Sequence, residues 1–283
     1  MTDNDTYTAH VIPQSVARGT AFVTCTLDDG RNFTCTLQND VEWQAGGEYT
    51  YEISLIAAGA GYIYDDATHT YTVYNTNGLL AWSEAARNDL SLNCTLAADI
   101  TLPEVTGADP SNWTPVGYYD YDSDVFIGYT GTFDGGGHAI MGLTVDLPSQ
   151  EYVGLFGVVG EEGTVKNLTL AGAKINGNWY VGGVAGFNFS GTLTACYATC
   201  DVKGTGTSVG GVAGQNSDIV TACYWSNNLD AGIGDGSGDV TQVDGTTVTW
   251  VDAVGEMNSV LNSLTTWYYE LVGDNLPVLM QRQ

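Results

Sequence analysis

The sequence predicts an all-β chain: a right-handed parallel β-helix preceded by a small antiparallel β-sheet domain. Three observations carry that prediction. Val153-Gly154-Leu155-Phe156-Gly157 recurs as Val181-Gly182-Gly183-Val184-Ala185-Gly186 and again as Val209-Gly210-Gly211-Val212-Ala213-Gly214, and the steps 181 − 153 and 209 − 181 are both 28. A second word follows each time: Gly163-Thr164-Val165-Lys166-Asn167-Leu168, then Gly191-Thr192-Leu193-Thr194-Ala195-Cys196, then, one residue short, Ile219-Val220-Thr221-Ala222-Cys223. Two words in fixed order at one period of roughly 20 to 50 residues signal stacked units. Near the start, residues 21–37 instead alternate apolar side chains with threonine, as a half-buried antiparallel hairpin does. The chain therefore divides into an antiparallel domain over 1–58, a linker over 59–70, and a β-helix over 71–283 with its own end caps.

In the N-terminal domain, Ala21 to Leu27 and Asn32 to Leu37 flank the turn Asp28-Asp29-Gly30. Pairing Cys25 opposite Cys35 puts Val23, Cys25, Leu27, Phe33, Cys35 and Leu37 on one face. The two cysteines are candidates for a cross-strand disulfide, with two thiols packed in a core as the alternative. Glu42 to Leu55 adds a turn and a final strand. This piece, through Val11-Ile12-Pro13-Gln14 and Ala45-Gly46-Gly47-Glu48-Tyr49-Thr50-Tyr51-Glu52-Ile53-Ser54-Leu55, resembles the C-terminal part of the fimbrillin family. The resemblance covers about 50 residues, fewer than a complete domain of that type, and implies a sheet with an open edge.

Residues 57–70, with Ala57-Ala58-Gly59-Ala60-Gly61 and Asp65-Asp66, read as a linker or hairpin insertion. From Asn77 to Arg87 lies the best helical stretch, with Leu79, Trp82 and Ala86 on one face, placed to plug the open end of a solenoid. A rung follows over 91–102. The segment from Pro103 to Thr130 is too long for a corner and should bulge from the rod. Its aromatics, Trp113, Tyr118, Tyr119, Tyr121, Phe126 and Tyr129, either meet a partner or cover the rod's flank. Trp113, Tyr118, Tyr119 and Tyr121 are the candidate contacts.

In the repeat itself, Val-Gly-Gly-Val-Ala-Gly is a strand whose small residues admit a close backbone neighbour. Gly-Thr-Leu-Thr-Ala-Cys is a second strand with Leu193 and Ala195 on one face and Thr192, Thr194 and Cys196 on the other. Like residues then stack: Val153 over Val181 over Val209, and Leu168 over Cys196 over Cys223. The paired words resemble the GLUG repeat of bacterial surface proteins and some secreted peptidases and adhesins. Phe133-Asp134-Gly135-Gly136-Gly137-His138-Ala139-Ile140 resembles the rung that precedes such repeats, with Gly136 where asparagine is usual. The likeness implies an exported adhesin-like protein that binds a host or bacterial surface glycan or protein, or other fimbrial subunits. It implies also an extracellular or outer-surface location, with a leader or upstream segment removed. After Trp225 the repeat dissolves. A helix over 252–261 and strands at 267–269 and 276–279 are expected to cap the last rung.

Composition narrows the function. Seven Lys and Arg against 33 Asp and Glu give a net charge of −26, which repels nucleic-acid phosphates and anionic membranes. No apolar run is long enough to cross a bilayer. Six cysteines form neither a CxxC pair nor a zinc pattern. Asp120, Asp122 and Asp124 alternate and could converge on calcium, the only cofactor the sequence raises, or could be solvated loop acids. Val125 and Gly131 replace the glycine and glutamate of an EF-hand loop.

Parallel β-helices also host polysaccharide lyases and glycoside hydrolases, so a carbohydrate-active enzyme is the alternative reading. Lys166, Lys174 and Lys203 are the only basic residues of the repeat region, and Glu161, Glu162 and Asp201 lie near corners, not in facing pairs. No HExxH motif occurs, and His138 reads as a packing residue of its rung. The sequence therefore favours binding over catalysis.

Overall fold

The computed structural model describes residues 12–17, 20–26, 32–36, 40–47, 49, 60–106, 109–226, 229–244, 246–261, 267–271 and 277–281. The chain separates into two compact units, Met1–Gly59 and Ala60–Gln283. Strand accounts for 43% of it and helix for 10%, so the protein is all-β, with mostly parallel pairing.

In the first unit, Gln14–Val16 pairs antiparallel with Val41–Trp43, and Ala21–Thr26 with Asn32–Thr36. The register corrects one expectation. Cys25 stands opposite Phe33 and Cys35 opposite Val23, because the ladder closes at the turn with Thr26 opposite Asn32. The two cysteines are therefore diagonal rather than directly opposed, and the direct alignment that favours a cross-strand bridge is lost. Leu27 and Leu37 lie outside the described residues.

At the centre of the second unit each 28-residue repeat contributes one strand to each of three parallel sheets, and longer steps before it, 133 − 94 = 39 and 164 − 132 = 32 residues, extend the first sheet. One sheet runs Asn93–Leu96, Thr132–Asp134, Thr164–Lys166, Thr192–Thr194, Ile219–Thr221. A second runs Ile100–Thr101, Ala139–Met141, Thr169–Gly177, Tyr197–Gly204, Cys223–Trp225, Val240–Gln242. The third runs Phe156–Val159, Ala185–Asn188, Ala213–Asn216, Ile233–Gly236. Val153 bridges Val181, and Val181 pairs with Val209. The Tyr197 N–H donates to the Leu168 carbonyl and the Tyr224 N–H to that of Cys196, so Leu168, Cys196 and Cys223 also form a column. Inward columns such as Phe133, Val165, Leu193 and Val220, and Ile100, Ile140, Leu170 and Ala198, merge into one buried core. Each buried aliphatic contributes about 1.5–3 kcal/mol.

The glycines of the Val-Gly-Gly-Val-Ala-Gly word have a steric cause. A Cβ on Gly186 would lie 2.5 Å from the backbone of Tyr152 and Val153, and one on Gly214 would lie 2.4 Å from that of Tyr180 and Val181. The imperfect side-chain alternation also has a cause. Asn167, Ala195 and Ala222 all adopt left-handed backbone angles, with φ of 53°, 51° and 49°. That corner resets the parity, so Cys196 turns inward after the outward Thr194, and Ala195 leaves the Leu193 face.

Of the linker and hairpin readings of this stretch, residues 60–70 take the hairpin: Tyr62–Asp65 and Thr70–Val73 pair antiparallel, and the second arm pairs parallel with Asn93–Leu96 and extends the first sheet. Helix α1, Thr76–Ala86, is capped by Asn75, whose side chain accepts from the Gly78 N–H. Its buried face, Leu79, Trp82, Ser83 and Ala86, sets the Trp82 ring 4.9 Å from Phe133 and in edge contact with Tyr129 and Phe156.

The C-terminal elements differ from expectation. Helix α2, Trp250–Leu261, starts in a reciprocal box in which Thr249 donates to the Asp252 carboxylate and the Asp252 N–H donates back to the Thr249 hydroxyl. Ala253 and Met257 of α2, with Tyr269, pack on Ala195, Tyr197, Ala222 and Tyr224. The Tyr269 hydroxyl donates to the Ala195 carbonyl. These elements thus cover the flank of two consecutive repeats rather than the end of the last. The outward tyrosines 197 and 224 create an apolar stripe there that needs cover.

Candidate functional site

The loop over 103–130 leaves and re-enters the third sheet. Val116 bridges Phe156 and Tyr129 bridges Val159, and between them Tyr118–Asp120 and Val125–Ile127 form an antiparallel hairpin with a turn over 121–124. Trp113 does not belong to its surface. It is 4% exposed, with its indole N–H donating to the Leu155 carbonyl at 2.8 Å, so it anchors the segment. Tyr118 is exposed and, by strand alternation, points to the opposite side of the hairpin from Tyr119.

Tyr119 and Tyr121 do meet, 4.8 Å apart in edge contact, and they join a larger aromatic platform. Tyr119 lies 4.9 Å from Phe126 and 5.7 Å from Tyr152. Phe126 in turn rests on Phe187 and Phe189, at 5.1 and 4.7 Å. The repeat supplies the platform's centre. Tyr152 and Tyr180 precede Val153 and Val181, and their rings stack at 4.8 Å and 7°. Both have left-handed backbones, φ 58° and 56°, as does Ser208 at the same place one repeat later. One position earlier in each repeat stand Glu151, Trp179 and Thr207. The Tyr152 N–H donates to the Trp179 carbonyl and the Tyr180 N–H to that of Thr207, which fixes this register. Tyr121, Trp179 and Phe189 are the platform's exposed members, at 67%, 43% and 40%.

Carboxylates rim these rings. The Tyr121 hydroxyl donates to Glu151 Oε2 at 2.9 Å, and the Tyr119 hydroxyl donates to Asp124. Loss of water, then the Glu151 bond, raises Tyr121 to about 12, and the Asp124 bond raises Tyr119. Partial burial, then the neighbouring Tyr180 and Glu151, raises Tyr152. Asp120 accepts from the Ser123 hydroxyl and the Asp122 N–H, which hold its carboxyl below the usual range. Asp120 and Asp124 thus use their carboxylates to fold the hairpin, and with Asp122 they do not converge as calcium ligands would. Among the described residues no three His, Cys, Asp or Glu side chains are grouped to hold a metal ion.

Other sequence candidates sit elsewhere. His138 is not packed within its rung. Its Nδ1 lies 3.2 Å from Asp99 at the surface. Asp201 is paired with Lys203 at 2.7 Å, and Asp134 with Lys166 at 3.3 Å. Cys94, Cys196, Cys200 and Cys223 are buried free thiols, and burial raises Cys200 to about 12 and Cys94 and Cys223 well above the usual thiol value.

Comparison with known proteins matches two separate parts of the chain, the first running past the boundary between the two units. Residues 1–73 match the fimbrillin-like family profile, and residues 177–203 match that of the GLUG motif. The chain is 32% identical over 167 residues to halomucin of Haloquadratum walsbyi, covering 54% of this chain and 2% of halomucin. It is 35% identical over 80 residues to a candidate Gly-rich membrane protein of Evansella cellulosilytica, covering 28% and 9%. The chain therefore spans only a small part of these relatives' lengths. A crystal structure of a candidate immunoglobulin A1 protease from Bacteroides ovatus aligns with a TM-score of 0.42 at 18% identity, over 63% of this chain and 66% of that one. Among the described residues no helix is long and apolar enough to cross a membrane. The matches suggest a surface-associated protein, with a fimbrillin-like match over residues 1–73 and a GLUG-motif match over 177–203.

Proposed function

We propose that this chain is an extracellular, adhesin-like binding module: a right-handed parallel β-helix that presents the aromatic platform to a surface glycan. The β-helix reading is supported by the repeat's contribution of one strand to each of three parallel sheets at a 28-residue step, with their inner faces in one core. Right-handedness is the hand that parallel crossovers adopt. The single observation that supports recognition is the stacked Tyr152–Tyr180 pair beside exposed Trp179 and Tyr121. Aromatic rings packed on one another and held by a rigid sheet lose little entropy on binding, and an exposed ring face matches the apolar face of a pyranose. Glu151 and the hairpin acids supply acceptors for sugar hydroxyls. A protein partner or another fimbrial subunit would meet the same surface.

This reading is non-catalytic. It is supported by a site made of rings whose nearby carboxylates are already bonded to tyrosine hydroxyls and to the hairpin backbone. A glycan panel probed with the intact chain and with a Tyr121→Ala/Trp179→Ala double variant tests it. Binding of at least one pyranose ligand that the variant loses about tenfold or more supports it. Equal binding by both forms, or release of reducing ends from the bound glycan, contradicts it.

A further inference from the structure

The platform's charge is as specific as its shape, and it narrows the ligand class for the site proposed above. Glu151 and Trp179 occupy equivalent positions in consecutive repeats, one strand spacing of backbone apart, with the Glu151 carboxylate at the Tyr121 hydroxyl and the Trp179 indole over Gly206. The stacked tyrosines lie next to both. Two further phenols, Tyr121 and Tyr119, donate their hydroxyl protons to Glu151 and Asp124. A phenol that donates to a carboxylate gains electron density in its ring, which strengthens attraction for a cation above the face. The two lysine ion pairs of the repeats, Lys166 with Asp134 and Lys203 with Asp201, consume their cations against other acids. The chain as a whole carries −26.

The geometry points to a glycan bearing protonated amines, an amino-sugar polymer, as the ligand of the Glu151–Trp179–Tyr152–Tyr180 corner, in place of a neutral or uronate-containing one. The pyranose face would lie on an exposed ring of this corner while its ammonium meets Glu151, whose carboxylate lies at the Tyr121 hydroxyl and beside Tyr152. Glu151 Oε2 already accepts from Tyr121, but a carboxylate has about four lone-pair sites, so one ammonium can share it. Uronates and sialylated glycans would meet the same carboxylates with like charge. This inference rests on the glycan-binding reading and adds the charge of the sugar to it.

Two probes that share a backbone and differ at the amine separate the two claims: an oligomer of glucosamine, whose amines are protonated, and its fully N-acetylated, neutral counterpart, titrated at mildly acidic pH against the whole chain. The glucosamine oligomer is expected to bind about tenfold more tightly, with the difference shrinking as salt is raised. Glu151→Gln is expected to bring the ratio of the two affinities toward one, and Trp179→Ala to weaken the glucosamine oligomer about tenfold or more. Circular dichroism of each variant confirms that it is folded. Equal affinity of the unaltered chain for the two oligomers, or preference for the acetylated one, overturns the amino-sugar inference and leaves glycan binding standing. Binding of neither oligomer overturns this inference, and binding of no pyranose at all in the panel overturns the glycan reading with it. Tight binding of a lysine-rich peptide with neither oligomer bound assigns the corner to a protein and overturns the inference as well.

Discussion

Asn188 donates through Nδ2 to Oδ1 of Asn216, its equivalent one repeat later, at 2.7 Å inside the wall of the stack. The same amide donates to the carbonyls of Gly191 and Ile219, and its oxygen accepts the Gly191 N–H. Asn216 repeats the motif toward the Asp218 and Ser237 carbonyls. The pair therefore bonds buried corner backbone: the Gly191 N–H is held by Asn188 Oδ1, and the Gly191 carbonyl is shared with the Ile219 N–H.

Replacing Asn188 with alanine removes the acceptor of the buried Gly191 N–H and the short bond to Asn216 Oδ1. The expected loss is about 3 kcal/mol, since one unsatisfied buried group costs about 1–3 kcal/mol and the neighbours relax only in part. A urea titration with a lowered midpoint and an unchanged slope is the expected outcome.

The left-handed corner at Ala195 makes a second, sharper comparison. With φ at 51° and no exposed surface, Ala195→Val adds a β-branch where the backbone already bears about 1–2 kcal/mol of strain, and is expected to cost about 3 kcal/mol. Ala195→Gly relieves that strain and raises unfolded-chain entropy by a similar amount, so its effect should stay within about 1 kcal/mol. Thermal unfolding of both variants measures the contrast.

At the other end of the core, Trp82 ties helix α1 to Tyr129, Phe133 and Phe156. Trp82→Ala empties the centre of that ring cluster, and a loss of about 3–5 kcal/mol is expected from calorimetry.

Alkali should unfold the protein by a route the tyrosines define. Burial raises Tyr129, Tyr197 and Tyr269 above their unfolded value, and the Tyr129 hydroxyl also donates to the Leu92 carbonyl. Each folded-state value lies above the unfolded one near about 10. The stability these groups contribute is therefore fully present below about pH 10 and is lost as pH rises through their folded values, at about 1.4 kcal/mol per pH unit for each group. Denaturation midpoints flat to about pH 10 and falling beyond it are expected.

The sequence made the stack legible because a 28-residue period survives in two words at once, and the Val153, Val181 and Val209 column follows from it. What escaped reading lay just outside those words. Tyr152 and Tyr180 repeat at the same step, one residue before each valine, and would have placed the platform's centre. Phe187, Phe189 and Trp179 carry no such signal, since the other repeats have Gln215, Ser217, Glu151 and Thr207 at the matching places. Nor does composition separate buried Trp113 from exposed Tyr121, because the hairpin's path back to the third sheet decides which ring faces inward. The Cys25 register failed for a related reason: a shift by two residues keeps every side chain on the same face, so alternation does not fix where the turn closes, here with Thr26 opposite Asn32. The tail's position depended on Tyr197 and Tyr224 pointing outward, which the left-handed corner before each of them determines and period-2 counting does not.

The central claim is that the 28-residue step is one full turn of a coil. Excising residues 181–208, one whole step, joins Tyr180 to Val209 and leaves every column in register, whereas excising 181–194 does not. Calorimetry with circular dichroism on the two shortened chains decides the matter. The account predicts a single cooperative transition and intact strand signal for the whole-step excision, with loss of both for the half-step one. Equal unfolding of the two would contradict it.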